Sequence, residues 1–356
     1  VLTHGRSQCG RFLRDLIYQG FNEDEKGRIV FDGVMALVSG SRKNFCNFEF
    51  AQPGRWSRQH EDHLQPGDQF PFTFGVLTDP ISGQTDSILA KCRKSVTCPK
   101  IMQIDTDTEF WQGRASLVLT DTAGADINLP DSVRYYLFGS AQHGPAGTTE
   151  RGIYQNLSNP IDYRPLTRAL IVALEKWVTD GTEPPASRYP KVADGTLVPP
   201  DQVKFPKIPG VVYDGAVNGL RLTDYSVQPP AEGKAYPVLV PQVDSDGNTL
   251  AGVLHPFIEV PTATHTGWNL RAPGYAENEL GGGYGSYIPF AQTRAEQMAS
   301  SDPRPSIEER YPTHDAYVSK VAEAVDRLVQ ERFLLEWDAH RIKKAAALSS
   351  IGKPQK

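Results

Sequence analysis

The 356 residues are 39 % hydrophobic, enough to bury a large core in one large or two moderate domains. A net charge of −5, with Lys and Arg scattered rather than clustered, leaves no basic surface for nucleic acid. No apolar stretch is long enough to span a bilayer, and a chain that starts at Val1 leaves the question of a leader open.

The first element is read from His4-Gly5-Arg6-Ser7-Gln8-Cys9-Gly10-Arg11. Val1 and Leu2 lead in like the end of a strand, and Phe12, Leu13, Leu16 and Ile17 follow at helical spacing. A serine at such a strand-to-helix turn sits in a strained backbone where strand and helix approach closely, so the residues two before and two after it must be small. Gly5 and Cys9 meet that need and nominate Ser7 as a nucleophile. Many such stretches are plain turns, so the reading needs partners downstream.

Residues 28–38, dense in apolar side chains around Asp32-Gly33, read as a buried parallel strand. From about 41 to 95 periodicity is lost and aromatics, Gln, His and Pro appear, the character of a cap inserted over a site. Within it, His60-Glu61-Asp62-His63 lacks the spacing of a helical zinc pair and reads as a solvated loop. Cys92 and Cys98 flank a short polar loop. A disulfide there implies an oxidising compartment, periplasmic or secreted; two reduced thiols in a cytoplasmic loop are the alternative.

Pro99 to Asp105 reads as a second strand, Phe110 to Leu119 as a helix, and Val133 to Gly139 as a third strand running into Ser140-Ala141-Gln142-His143-Gly144-Pro145. Strands alternating with helices or a cap make a right-handed parallel sheet the natural topology, in an α/β fold. Residues 163–180 form an apolar helix stopped by Asp180-Gly181. The chain is then Pro-rich to about 237. Residues 238–243 and 250–254 read as a hairpin across Asp244-Ser245-Asp246-Gly247-Asn248. Gly281-Gly282-Gly283-Tyr284-Gly285 follows no clear strand, so it reads as a loop near the site rather than a phosphate cradle. Residues 306–348 are helical, opened by a Ser306/Glu309 capping box.

A serine hydroxyl is a poor nucleophile at neutral pH; acyl transfer needs a histidine to take its proton and a carboxylate to orient that histidine. Three acids, Asp105, Asp107 and Glu109, follow the second strand, and His143 follows the third. Ser, acid, His is the chain order of α/β-hydrolases, whose sites lie at the carboxyl ends of the strands.

Ser7-Gln8-Cys9-Gly10-Arg11-Phe12-Leu13-Arg14-Asp15, Tyr18-Gln19-Gly20-Phe21-Asn22, Phe31-Asp32-Gly33-Val34, Thr108-Glu109-Phe110-Trp111, Gln142-His143-Gly144-Pro145 and Gly267-Trp268-Asn269-Leu270-Arg271 resemble the large bacterial α/β-hydrolase-domain proteins of unassigned substrate. The resemblance implies Ser7 as nucleophile, Glu109 rather than Asp105 or Asp107 as the acid, and His143 as the base. It also implies that the elbow ends strand five. The chain would then hold the C-terminal half of the sheet, strands five to eight, with a partner in the missing N-terminal half. One oxyanion donor, the Gln8 amide, would be present and the donor after strand three absent, leaving the isolated chain inactive or weakly active. Cys9 stands where that pattern has its second glycine, and Gly10 comes one later.

The expected organisation is a partial hydrolase core over 1–185 with the cap at about 41–95, and a C-terminal extension over 186–356 packed on it. The expected function is a serine hydrolase of small-molecule esters that needs no cofactor, with Arg6, Trp111 and Trp268 in the substrate pocket. The alternative is a noncatalytic binding or assembly domain that keeps the hydrolase-like fold.

Overall fold

The computed structural model describes residues 1–44, 68–145, 149–224 and 226–353. Four strands, β1 (Leu2–Arg6), β2 (Gly33–Leu37), β3 (Lys100–Thr106) and β4 (Val133–Phe138), pair in parallel and in chain order. Helix α1 (Gln8–Gln19) follows β1, α2 (Asp107–Gly113) follows β3 and α3 (Arg164–Thr179) comes after β4. Parallel strands need crossovers on the sheet faces, and both faces are covered. Because strand residues alternate sides, Val34, Ile101 and Tyr135 pack with Leu13 and Ile17 of α1. Met35, Leu37, Met102, Ile104 and Tyr136 pack with Leu166, Leu170, Leu174 and Trp177 of α3.

Helix α3 carries Pro165 in its first turn, where its missing N–H costs nothing, and ends ahead of Gly181 at φ 76°. Its four core-facing side chains are 3 % exposed or less, each stabilising by about 1.5–3 kcal/mol relative to exposure. Two C-terminal helices, α4 (His314–Gln330) and α5 (Glu336–Leu348), extend the same core, which runs unbroken from Met35 to Ala346. Asp338 of α5, fully buried, pairs with Arg168 of α3 through two hydrogen bonds of 2.5 and 2.9 Å. A small antiparallel sheet of β5 (Leu157–Ser158), β6 (Ala263–His265) and β7 (Ser286–Pro289), with β7 central, completes the frame around the site.

Several elements differ from their sequence reading. The strand expected over 28–38 is confined to Gly33–Leu37, because Ile29 is held in a local bridge to Glu23. The helix expected over 110–119 starts earlier and breaks at Arg114, which adopts φ 53° and buries its guanidinium 3.2 Å from Asp68. The hairpin exists only at its tip, where Val243 bridges Thr249. Its arms diverge, since Val240–Pro241 pairs with Leu197–Val198 while Val253 lies parallel to Phe138 and caps the outer edge of β4. The outer edge of β1 pairs with no strand among the described residues. The C-terminal run is three helices, the first opened by Ser306 and Glu309 as expected.

Of the segment read as a cap, residues 45–67, with His60-Glu61-Asp62-His63 and Cys46, lie outside the described residues. Phe70 and Phe72 are buried against Leu117, Leu220 and Tyr236, and Cys92 and Cys98 form a disulfide. Among the described residues no helix is long and apolar enough to cross a membrane, and no cluster of His, Cys, Asp and Glu fits a metal ion.

Candidate active site

Ser7 stands between β1 and α1 at φ 56°, ψ −118°, a left-handed conformation that L side chains rarely adopt. Its amide donates to the Leu37 carbonyl of β2 at 2.8 Å, and its own carbonyl accepts the first helical hydrogen bond from Arg11 at 3.0 Å. A Cβ on Gly5 would come within 2.4 Å of the Cys9 carbonyl oxygen. One on Gly10 would lie 2.8 Å from the Leu37 oxygen and 3.0 Å from that of Gly5. The small residues that let helix and strands close are therefore Gly5 and Gly10. Cys9, to which the sequence reading gave this task, is exposed, because the turn of α1 rotates it outward. The Gln8 backbone N–H belongs to the first turn of α1, where the helix dipole favours negative charge.

The three acids, Asp105 near the end of β3 and Asp107 and Glu109 at the start of α2, have three different surroundings. Glu109, 1 % exposed, accepts at Oε2 from the Thr106 amide and hydroxyl at 3.0 and 2.6 Å, the N-terminal cap of α2. Its Oε1 faces Nδ1 of His143 at 2.6 Å. Burial works to raise the Glu109 carboxyl, but His143 and the two Thr106 donors outweigh it and hold it below the usual carboxylate range. Asp105 accepts from the Ser39 and Gly40 amides and the Tyr135 hydroxyl, tying the loop after β2 to the strand ends; burial, with Glu109 nearby, pushes it upward. Asp107 accepts from the Thr249 hydroxyl at one oxygen and has no partner at the other among the described residues; burial pushes it up to about 7.

His143 reaches this cluster from the loop after β4. Its Nε2 lies 2.8 Å from Ser7 Oγ. A carboxylate can only accept, so the Nδ1 proton points to Glu109 and leaves Nε2 to accept from the serine hydroxyl. The backbone of His143 is gripped on both sides: its amide donates to Thr108 Oγ1 at 3.1 Å, and its carbonyl accepts from the Tyr163 hydroxyl at 2.5 Å and Arg6 Nη2 at 3.0 Å. Ser7, Glu109 and His143 thus form one hydrogen-bonded line at the carboxyl ends of β1, β3 and β4.

Arg6 is tied to that carbonyl and to Tyr163. Trp111 and Trp268 are 3 % and 4 % exposed, with ring centroids 6.0 Å apart in a cluster with Phe205 and Tyr213. Little of either indole is left to meet a ligand, so their contribution is a packed wall behind the site. The glycine loop lies against the histidine, where a Cβ on Gly283 would sit 3.4 Å from that of His143. Gln112 holds it through Gly281 and Gly283, and Gln142 through Gly285. The clamp of Tyr163, Thr108 and Arg6 carried no sequence signal beyond the proximity of Arg6 to Ser7 and of Thr108 to Glu109.

A family profile described as Alpha/beta hydrolase domain matches residues 1–344. No curated protein and no solved structure is matched by the chain. The parallel four-stranded sheet with helices on both faces, and a profile match over nearly the whole length, establish that this chain belongs to the alpha/beta hydrolase domain family.

Proposed function

We propose that the chain is a serine hydrolase of carboxylic esters, working through Ser7, His143 and Glu109. Ser7 Oγ attacks the ester carbonyl while His143 Nε2 takes its proton, and Glu109 stabilises the imidazolium that results. The Gln8 amide donates to the oxyanion. The same imidazolium then protonates the departing alcohol, and a water molecule activated by His143 releases the acid and regenerates Ser7. Arg6 borders the substrate, and the Trp111–Trp268 wall supports the site from behind.

The observation that carries this reading is the unbroken line Ser7–His143–Glu109 at 2.8 and 2.6 Å, with Ser7 held at φ 56°. Nucleophile, acid and base after β1, β3 and β4 also suit strands five, seven and eight of a hydrolase sheet, with the edge of β1 that pairs with no strand among the described residues as the place where its N-terminal half would join. The 1–185 core and 186–356 extension are the corresponding division of the chain. The Cys92–Cys98 bridge favours a periplasmic or secreted protein over a cytoplasmic one.

The test is hydrolysis of p-nitrophenyl acetate, whose good leaving group tolerates a site with one oxyanion donor. Turnover above background that disappears in Ser7→Ala and in His143→Ala supports the proposal. Equal rates for wild type and Ser7→Ala contradict it and favour the noncatalytic binding domain.

A further inference from the structure

A cavity of about 520 Å³ lies between α3, α5 and the small sheet, walled by Pro165, Phe257, Tyr287, Tyr317, Ile342 and Ala345. None of Ser7, Glu109 and His143 lines it. The volume falls in the range of small-molecule sites, which are mostly apolar with a few converging polar groups.

Those polar groups are two buried imidazoles and an arginine. His255 and His265 are 5 % and 3 % exposed, and both line the cavity. Nδ1 of His255 accepts from the Phe257 amide at 3.2 Å, so the ring proton sits on Nε2 and is available as a donor. Nδ1 of His265 is buried and meets no partner in good hydrogen-bond geometry among the described residues; a loose hydrogen bond to the Ala263 carbonyl engages the ring's donor and leaves one ring nitrogen to accept. Burial lowers His255 to about 4 and His265 to about 3, so both rings are neutral at pH 7 and His265 presents one acceptor nitrogen. Unfilled hydrogen-bonding capacity in an apolar enclosure is costly unless a ligand or water fills it.

The charges around the cavity select the ligand's sign. Asp338 is spent on Arg168, and Asp162 on Arg164 through two bonds of 2.7 and 2.8 Å. Arg341, also lining the cavity, has no carboxylate within 4.0 Å among the described residues, and its guanidinium carbon lies 4.7 Å from the Trp337 ring centroid. The uncompensated charge is therefore a cation able to pair with a carboxylate in two parallel hydrogen bonds.

We infer that this cavity is a second binding site, separate from Ser7, for a small carboxylate with an apolar body and a hydroxyl. The carboxylate pairs with Arg341, the body lies among Pro165, Ile342 and Tyr317, and the hydroxyl meets the two imidazoles, accepting from His255 and donating to His265. This assignment stands whether or not Ser7 hydrolyses esters.

The probe is 4-hydroxyphenylacetate, titrated calorimetrically into wild type, Ser7→Ala, Arg341→Gln and Ala345→Trp. Arg341 and Ala345 are exposed, so both substitutions leave the core intact, which circular dichroism checks. The expected result is saturable one-to-one binding that Ser7→Ala retains, Arg341→Gln weakens at least tenfold, and Ala345→Trp abolishes by filling the cavity. Phenylacetate and 4-hydroxyphenylacetamide, lacking the hydroxyl and the carboxylate charge, should each bind at least tenfold more weakly. Absence of saturable binding, meaning a cavity that holds water only, overturns the inference. So does affinity indifferent to Arg341→Gln, to Ala345→Trp, or to either change in the probe, and so does loss of binding in Ser7→Ala.

Discussion

Replacing Glu109 by Gln separates the two tasks of that carboxylate. The amide oxygen of Gln still accepts from Thr106, so α2 keeps its cap and stability falls by about 1 kcal/mol, the scale of one weakened hydrogen bond. What is lost is the negative charge facing His143 Nδ1 at 2.6 Å. When His143 takes the serine proton, that charge offsets an imidazolium whose centre lies about 4 Å away, worth about 4 kcal/mol at an effective dielectric constant near 20. The rate of p-nitrophenyl acetate hydrolysis should therefore drop about 10³-fold with KM little changed. Glu109 is held below its ordinary range, so its ionised form adds stability above that range, lost as pH falls through the lowered folded value. Glu109→Gln should remove this acid-side dependence from unfolding measured between pH 2 and 6. A folded Glu109→Gln protein keeping more than a tenth of wild-type activity would refute the assignment of Glu109 as the orienting acid.

Four further outcomes follow from the same contacts. Gly10→Ala forces a Cβ within 2.8 Å of the Leu37 oxygen and should cost about 1–3 kcal/mol in urea unfolding, whereas Cys9→Ala should stay within about 0.5 kcal/mol. Tyr163→Phe removes one of two donors on the His143 carbonyl and should lower kcat about fivefold with KM unchanged, as steady-state kinetics would show. Asp107, pushed up to about 7, is protonated more readily folded than unfolded, so it makes stability fall as pH rises from about 4 to about 7; Asp107→Asn should flatten Tm across that window. Reducing Cys92–Cys98, or replacing both by Ala, should lower stability by about 2 kcal/mol in urea unfolding, the loop entropy of a six-residue separation.

The site was legible where chemistry is local. A serine on a strand-to-helix turn, acids after one strand and a histidine after the next are all sequence-adjacent signals, and the structure joins Ser7, Glu109 and His143 in one line. Spacing could not choose among Asp105, Asp107 and Glu109, because the choice depends on which oxygen faces His143 rather than on order along the chain. The elbow misled by one residue for a related reason. Whether Cys9 or Gly10 meets β2 is set by the rotation of α1, which a count of small residues does not carry. The hairpin failed at its arms because Val240 and Val253 find partners more than forty residues and more than a hundred residues away. Trp111 and Trp268, separated by more than a hundred and fifty residues, looked like pocket residues because aromatics near a site are common to walls and pockets alike.

The central claim is that the Ser7 hydroxyl is activated by His143, and a fluorophosphonate probe with mass mapping of the labelled peptide tests it most directly. The account predicts one adduct per chain, on Ser7, formed at least a hundredfold more slowly in His143→Ala. No adduct on the folded protein, an adduct on another residue, or equal labelling of Ser7 with and without His143 would contradict it.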